Sequence, residues 1–322
     1  MSKGKSSYLK TPAVLIGIIL GMTMIITAMM IAVVGLSKEN NFGDDTANNS
    51  SGAGAGNGAL SSGDTLPSPS SATSQNSSTA SSRPTVSSDF QVPATTGLPV
   101  ADKDPFKDTT PDSGKVCYLT FDDGPCANTD KILKILEEND VKATFFVVGT
   151  MATGKIKDIF NAGHAVGLHT GTHELSELYD SPEAFIKDLK AISDKVYEKI
   201  GIRSNLTRFP GGSATAAMSS KLGKDGFETV TELMEENGYT YFDWNIDSGD
   251  THSKSPSSDY VMNEIRKGLK NSKGEYKSEV CILMHDIKNV TVETLPQIIK
   301  ELKDLGYTFK TLDGSAPSFQ FR

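Results

Sequence analysis

The sequence predicts an α/β fold, a distorted (β/α) barrel of seven or eight parallel strands in the carboxyl-terminal part of the chain. Strand-like and helix-like segments alternate from residue 113 onward, which is typical of parallel βαβ units. About eight strands in roughly 210 residues favour one barrel domain over an open doubly wound sheet. No strand is followed by a glycine-rich phosphate-binding motif, so a nucleotide site is not supported.

The individual elements follow from hydrophobic periodicity and from turn residues. Short apolar runs predict strands over 115–123, 143–148, 165–169, 205–209, 240–246, 279–284 and 307–311. Apolar residues at helical spacing predict helices over 128–139, 156–161, 182–200, 227–236, 260–269 and 294–305. The longest of these helices has its apolar residues on one face, at Phe185, Ile186, Leu189, Ile192 and Val196.

The amino-terminal region has the composition of a membrane anchor. Residues 1–12 carry Lys3, Lys5 and Lys10 and no acid, and residues 13–36 contain no charged residue at all. A segment of this length can cross a hydrocarbon core of about 30 Å. It is longer than the core of a signal peptide, about 7–15 residues, and has no clear Ala-x-Ala cleavage site. We predict one uncleaved transmembrane helix, with the N-terminus in the cytoplasm and the following chain outside.

Residues 37–112 are dominated by Ser, Thr, Gly, Ala, Asn and Pro and lack periodic apolar residues. Such a segment cannot bury enough surface to fold. We predict a disordered linker here, which tethers a globular domain over residues 113–322 to the membrane.

Net charge and cysteine content limit the classes of protein to which the chain can belong. The net charge is −8, and no basic arm exists beyond the first lysines, which argues against nucleic-acid binding. Three cysteines are too few for a disulfide framework. Cys117 and Cys281 lie in apolar runs and are expected in the core. Cys126 follows an acidic loop and is either a reactive or an inert thiol.

Two adjacent carboxylates, Asp122 and Asp123, stand where the first predicted strand ends. They follow a buried apolar run and precede Gly124 and Pro125, which stop the strand. In folds with parallel strands, this edge is where catalytic sites are built. Like charges held so close repel each other unless a cation or a proton is bound. The pair therefore indicates a site rather than an ordinary turn.

Polar clusters follow four other predicted strands, and parallel strands would place all of them on one face. They are His169-Thr170-Gly171-Thr172-His173, Arg208-Phe209-Pro210-Gly211-Gly212, Asp247-Ser248-Gly249-Asp250 and His285-Asp286.

The first of these clusters favours a metal site. His169 and His173 are four residues apart, a spacing that lets both imidazoles meet one ion. With one carboxylate of the Asp pair they form a two-His, one-carboxylate site with open positions, the pattern of a catalytic metal. The other carboxylate is then free to accept a proton.

Two further residues fit acid–base chemistry. Arg208 can hold the proton-accepting carboxylate ionised and oriented, or form a structural ion pair. His285 is a candidate general acid, with an acidic neighbour to set its tautomer and pKa, or a satisfied histidine at a strand end.

These five clusters together resemble, in order, the five motifs of the NodB-homology polysaccharide deacetylases, carbohydrate esterase family four. The resemblance covers about residues 113–313. It implies a distorted (β/α) barrel and metal-dependent removal of N- or O-acetyl groups from a glycan. Membrane-anchored peptidoglycan N-acetylglucosamine deacetylases are the members that the anchored chain resembles.

The resemblance implies a role for each matching residue. Asp122 is implied as the general base and Arg208 as the residue that orients it. Asp123, His169 and His173 are implied as ligands of a divalent ion, usually zinc, although Co²⁺, Ni²⁺ and Mn²⁺ also serve in the family.

The remaining motifs imply the acid and the substrate contacts. His285 is implied as the general acid, tuned by Asp250. A backbone N–H near Gly211 is implied as a donor to the oxyanion. Leu283 is implied to line the pocket for the acetyl methyl group, with Trp244 as a second candidate.

Two positions depart from the family pattern. Gly211 stands where the family usually has an aromatic residue, and Asp250 is followed by Thr251 rather than Trp. Both changes concern substrate preference more than catalysis.

The anchor and the tether then favour peptidoglycan N-acetylglucosamine as the substrate of a monomeric surface enzyme. The alternatives are a chitin-oligosaccharide deacetylase, an acetyl-xylan esterase, or an inactive glycan-binding barrel. Inactivity would require the loss of a ligand or of the base, and every expected group is present.

Overall fold

A computed structural model describes residues 97–112 and 114–322 of the chain. The predicted cytoplasmic segment, the predicted transmembrane helix and the predicted linker up to residue 96 lie outside these ranges, and their assignments stay predictions. Within the two described ranges, no helix combines the length and the hydrophobicity that a membrane crossing requires.

Strands and helices alternate in the described chain as expected. The strands are β1 Val116–Asp122, β2 Thr144–Val147, β3 Ala165–Leu168, β4 Leu206–Thr207, β5 Thr240–Tyr241, β6 Ile246–Asp247, β7 Glu279–His285 and β8 Thr308–Phe309. The helices are α1 Ala127–Glu138, α2 Ile156–Asn161, α3 Leu175–Leu178, α4 Pro182–Ile200, α5 Ala216–Lys221, α6 Gly223–Glu236, α7 Ser258–Gly268 and α8 Asn289–Asp304.

The long helix α4 has the bounds that were predicted for it. Ser181 caps its first turn, because the hydroxyl accepts a hydrogen bond from the N–H of Ala184 at 3.2 Å. Pro182 occupies the first helical position, where its missing N–H costs nothing. Gly201 ends the helix in the left-handed conformation with φ 69°. The short helices α3 and α5 were not predicted, since α3 has only four residues and Met218 is the only large apolar residue of α5.

The strands form one parallel sheet in the order β5-β4-β3-β2-β1-β7-β6, with β8 paired to β1. Strand β1 lies at its centre. It pairs over its whole length with β7, by its carboxyl-terminal half with β2, and by its first two residues with β8. The parallel α/β architecture is thereby confirmed, and the carboxyl-terminal ends of the strands share one edge.

The prediction of a single strand over residues 240–246 was wrong, and this changes the shape of the barrel. The segment divides into β5, which pairs with β4, and β6, which pairs with β7. Between them, the N–H of Phe242 still bonds to Thr207 and the N–H of Asn245 to Cys281. Within the described residues β5 and β6 do not pair with each other. The sheet is therefore a half-barrel that is open between these two short strands.

Side-chain alternation divides the hydrophobic core into two parts. Cys117, Leu119 and Phe121 of β1 pack in the larger cluster with the helices, whereas Val116 and Tyr118 join a smaller cluster on the opposite face. The smaller cluster also contains Phe146, Leu206, Cys281, Leu312 and Phe319. Thr120 and Asp122 continue the same face of β1 toward its carboxyl-terminal end. This face of the sheet thus changes from apolar to polar toward the carboxyl-terminal ends of the strands.

The ordered domain extends further upstream than the sequence indicates. Leu98 is buried, and the Asp108 carboxylate accepts the N–H of Thr311 at 2.8 Å. The structure therefore places contacts with the domain upstream of residue 113, in the last part of the segment assigned to the linker.

Candidate active site

The strand ends bring the predicted polar residues together at one edge of the half-barrel. Asp122 is the last residue of β1, and its Cα is paired in register with that of His285, the last residue of β7. His169 directly follows β3, and Arg208 directly follows β4. Parallel strand order alone is enough to bring these clusters to one edge of the sheet.

Asp123, His169 and His173 form a compact group of potential metal ligands. One ligand atom from each of the three residues lies within 4.8 Å of the other two. Asp123 Oδ1 is 3.2 Å from His173 Nε2 and 3.5 Å from His169 Nε2. This oxygen is buried and has no well-aligned hydrogen bond. A buried carboxylate oxygen facing two imidazole nitrogens fits a divalent cation such as zinc.

Charge interactions at this group already favour the ionised carboxylate. Burial alone would raise the pKa of Asp123, but His169 and His173 hold that pKa well below its usual range. The interaction with Asp123 raises the pKa of His173, although burial acts in the opposite direction. A divalent cation held here would compete with protons for the imidazole nitrogens.

The ligand-bearing loops are held in unusual backbone conformations. Asp123, Thr170 and His173 have φ values of 73°, 72° and 63°, a left-handed region that costs non-glycine residues about 1–3 kcal/mol each. His169 is oriented by its other ring nitrogen, because Nδ1 lies 2.9 Å from the carbonyl oxygen of Arg208. Donation from Nδ1 leaves Nε2 to face Asp123, as expected of a metal-binding histidine.

Arg208 is a buried guanidinium that serves the site and the half-barrel together. It donates to Asp122 Oδ1 at 2.9 Å and to the Thr120 hydroxyl at 2.7 Å. It also donates to the carbonyls of Phe242 and Asp243 at 3.0 and 2.8 Å. These two carbonyls belong to the segment between β5 and β6, where the strand ladder is interrupted. Arg208 therefore fixes Asp122 and satisfies backbone that the sheet leaves unpaired.

His285 is paired with Asp250, as the resemblance implies. Asp250 Oδ1 lies 2.8 Å from His285 Nδ1, and Oδ2 accepts the His285 N–H at 2.7 Å. Thr291 donates to the same Oδ2 at 2.6 Å. Burial alone would lower the pKa of His285, but Asp250 outweighs it, and with Asp122 and Asp123 nearby the pKa is raised to about 9. The imidazole is thus kept protonated at neutral pH.

Asp286, the acidic residue next to His285 in the chain, does not hold its imidazole. Its buried carboxylate turns toward Thr129, whose hydroxyl donates to Oδ2 at 2.5 Å. Burial raises the pKa of Asp286 to about 7. A side chain at Gly124 would overlap this carboxylate, with a Cβ only 2.0 Å from Oδ2. The glycine that follows the Asp pair is therefore needed for packing as well as for ending the strand.

The three predicted substrate residues lie in different surroundings. Leu283 is buried on β7 two residues before His285, on the same face of that strand. Gly211 lies in the exposed turn after β4, with φ 76°. Trp244 packs against Phe321, with ring centroids 5.1 Å apart.

Trp244 also lines a surface cleft of about 720 Å³. The cleft contains Glu279, at the amino-terminal end of β7, and neither Leu283 nor His285. Trp244 also lies beside Arg208, whose guanidinium carbon is 5.6 Å from the centroid of the indole ring. Its role as a substrate residue stays a prediction.

Sequence reasoning missed two residues that support the site. Thr120 accepts from Arg208 and donates to the Ile282 carbonyl at 2.7 Å. Asp243 is fully buried and accepts the N–H and hydroxyl of Ser213 at 2.8 and 2.5 Å, which holds the loop after β4. A Thr inside a strand had no distinguishing signal. Asp243 could have been noticed as a charge inside an otherwise apolar run.

A half-barrel edge that carries a candidate cation site, a carboxylate–guanidinium pair and a carboxylate–imidazole pair has the groups that a hydrolytic active site requires. Residues 109–230 match a family model described as polysaccharide deacetylase. A peptidoglycan-N-acetylglucosamine deacetylase of Bacillus cereus is 34% identical over 200 residues, which cover 61% of this chain and 68% of the relative.

Solved structures agree with this similarity. The catalytic domain of a peptidoglycan N-acetylglucosamine deacetylase from Eubacterium rectale is 32% identical, with a TM-score of 0.60, over 65% of this chain and 93% of that domain. A polysaccharide deacetylase from Bacillus cereus is 33% identical, with a TM-score of 0.55, over 64% of this chain and 97% of that protein. The chain belongs to the polysaccharide deacetylase family, carbohydrate esterase family four. It is accordingly a hydrolase of carbon–nitrogen bonds other than peptide bonds.

Proposed function

We propose that this chain is a metal-dependent deacetylase that removes N-acetyl groups from peptidoglycan N-acetylglucosamine and releases acetate. The observation that carries the proposal is the placement of a base, a cation site and an acid at one strand edge. Asp122 is held by Arg208, His285 is held by Asp250, and Asp123 lies between His169 and His173. The peptidoglycan substrates named for the relatives from Bacillus cereus and Eubacterium rectale support the choice of glycan.

Each residue of the site has its own role in the proposed reaction. Asp122 accepts a proton from the water that attacks the acetyl carbonyl carbon, while Arg208 keeps its carboxylate oriented. A backbone N–H near Gly211 donates to the oxyanion. His285 gives its proton to the amine nitrogen as the carbon–nitrogen bond breaks, and acetate leaves.

The metal ligands are Asp123, His169 and His173. A divalent ion held there, zinc first among the candidates, would polarise the acetyl carbonyl and lower the pKa of water. Leu283 contributes an apolar wall for the acetyl methyl group, in keeping with its place beside His285.

The domain organisation completes the proposal. Residues 13–36 anchor a monomeric chain in the cell membrane with residues 1–12 in the cytoplasm. The Ser- and Thr-rich linker then lets the catalytic domain reach the cell wall from outside. Deacetylation would add positive charge to the wall by freeing amines.

A substrate panel tests the proposed function. The full-length chain is incubated with zinc and with peptidoglycan, chitin oligosaccharide or acetylated xylan, and released acetate is measured. We expect acetate from peptidoglycan at the highest rate, and loss of that acetate after treatment with a chelator. Preferential release from xylan or from chitin oligosaccharide would assign the alternative substrates. No release from any of the three would support the inactive glycan-binding barrel.

A further inference from the structure

The loop that joins the two candidate metal-binding histidines is held from outside by helix α4. Asp188, in the second turn of this helix, accepts a short hydrogen bond from the N–H of Gly171 and a second from the N–H of Thr172 at 3.3 Å. Both donors lie between His169 and His173. One carboxylate oxygen, Oδ1, accepts both bonds, so its position fixes two successive peptide groups.

This loop needs an external support. Thr170 and His173 both have left-handed backbone conformations, which non-glycine residues adopt only where surrounding contacts impose them. Inside the loop, a single side-chain bond runs from the N–H of His173 to the Thr170 hydroxyl at 3.2 Å. Asp188 adds the contacts that the loop cannot make by itself.

Helix α4 also supports the neighbouring strand end. Lys195, seven residues after Asp188 and on the same side of the helix, donates to the carbonyl of Gly149 at 2.6 Å. The N–H of Gly149 in turn bonds to the Thr170 carbonyl at 3.1 Å. Helix α4 therefore contacts the loop between His169 and His173 directly through Asp188 and indirectly through Lys195.

The sequence of the loop fits this arrangement. A Cβ at Gly171 would lie 3.1 Å from the Asp188 carbonyl oxygen and 3.2 Å from both carboxylate oxygens. Glycine at this position lets the loop approach the helix closely enough for its N–H groups to reach the carboxylate.

We propose that Asp188 is a positioning residue for the metal site: it holds the loop so that the imidazoles of His169 and His173 converge on Asp123. This inference rests on the proposed metal-dependent function. Carboxylates that orient ligands in this way typically change metal affinity 10–100-fold when they are removed.

Zinc affinity measured by competition with a chromophoric chelator tests the proposal on the full-length chain. We expect Asp188→Ala to weaken zinc binding by about 10-fold or more. Asp188→Asn should weaken it less, because its carboxamide oxygen can still accept the two N–H groups. Asp194→Ala is the matched control, since Asp194 lies on the same helix, pairs with Lys190 and Arg203 and should leave the affinity unchanged.

The outcomes separate this inference from the proposed function. A parent chain that binds no zinc and releases no acetate would overturn the proposed function and the positioning role with it. A parent chain that binds zinc with the same affinity as Asp188→Ala would overturn the positioning role alone. If Asp188→Ala does not fold, Gly171→Ala replaces it, because its methyl group pushes the loop away from the intact carboxylate. Unchanged affinity in that variant would likewise overturn the role, and a 10-fold loss would support it.

Discussion

Asp122→Asn is expected to lower kcat/KM for acetate release by about 10²–10⁴-fold, the usual contribution of a general base. The carboxylate that would accept the proton of the attacking water is replaced by an amide that cannot. The amide oxygen can still accept from Arg208, which donates to Asp122 at 2.9 Å, so the site keeps its shape. The measurement is steady-state acetate release from peptidoglycan with saturating zinc.

Two controls make this result specific. Asp130→Asn removes an exposed carboxylate that pairs only with Lys155 among the described residues, and activity should stay at the parent level. Loss of the buried carboxylate leaves the Arg208 charge without its counter-ion, which can cost about 3–5 kcal/mol of folding free energy. Thermal melting must therefore show that the variant is folded at the assay temperature. If a folded Asp122→Asn chain kept the activity of the parent chain, Asp122 would not be the general base.

Asp250→Asn is expected to move the alkaline limb of the pH profile to lower pH. In the parent chain the pKa of His285 is raised to about 9, so the imidazole is protonated below that pH and can act as an acid. Without the Asp250 charge the pKa falls, because the strongest of the carboxylates that oppose the effect of burial is gone. At pH 8 the variant should then hold less protonated imidazole than the parent chain and show a lower kcat.

The same shift has a consequence for stability. The folded-state pKa of His285 is raised above its unfolded value of about 6.5, so the pairing stabilises the protein fully below that pH. The contribution is lost as the pH rises through about 9. Asp247→Asn is the matched control, because Asp247 is an exposed carboxylate at the end of β6 that accepts only the N–H of Gly249 among the described residues. If the pH profile of Asp250→Asn coincided with that of the parent chain, the Asp250–His285 pair would not be what keeps His285 protonated.

Much of the fold could be predicted because local signals and tertiary structure agree. Helix α4 has a capping Ser, a Pro at its first position and a Gly at its end, and its predicted bounds coincide with those observed. Strand β1 was found because six mostly apolar residues, 116–121, precede two acids and a Gly-Pro pair. The candidate site followed from these strands, since parallel order alone gathers their carboxyl-terminal ends.

The misses have a tertiary cause. Residues 240–246 look like one strand, but their two ends pair with strands on opposite sides of the gap, and no local pattern records a change of partner. Asp188 was missed because a charge on the polar side of an amphipathic helix resembles any solvated residue. Its role depends on a loop that lies next to it only after folding.

The most direct test of the central claim is a zinc titration of the metal-depleted full-length chain, with acetate release from peptidoglycan as the readout. The claim is that Asp123, His169 and His173 hold one cation that the reaction requires. We predict no release from the depleted chain, a linear rise on adding zinc, and a plateau at about one equivalent. His173→Ala should not reach that plateau. Full acetate release from the depleted chain, unchanged by added zinc, would contradict the account.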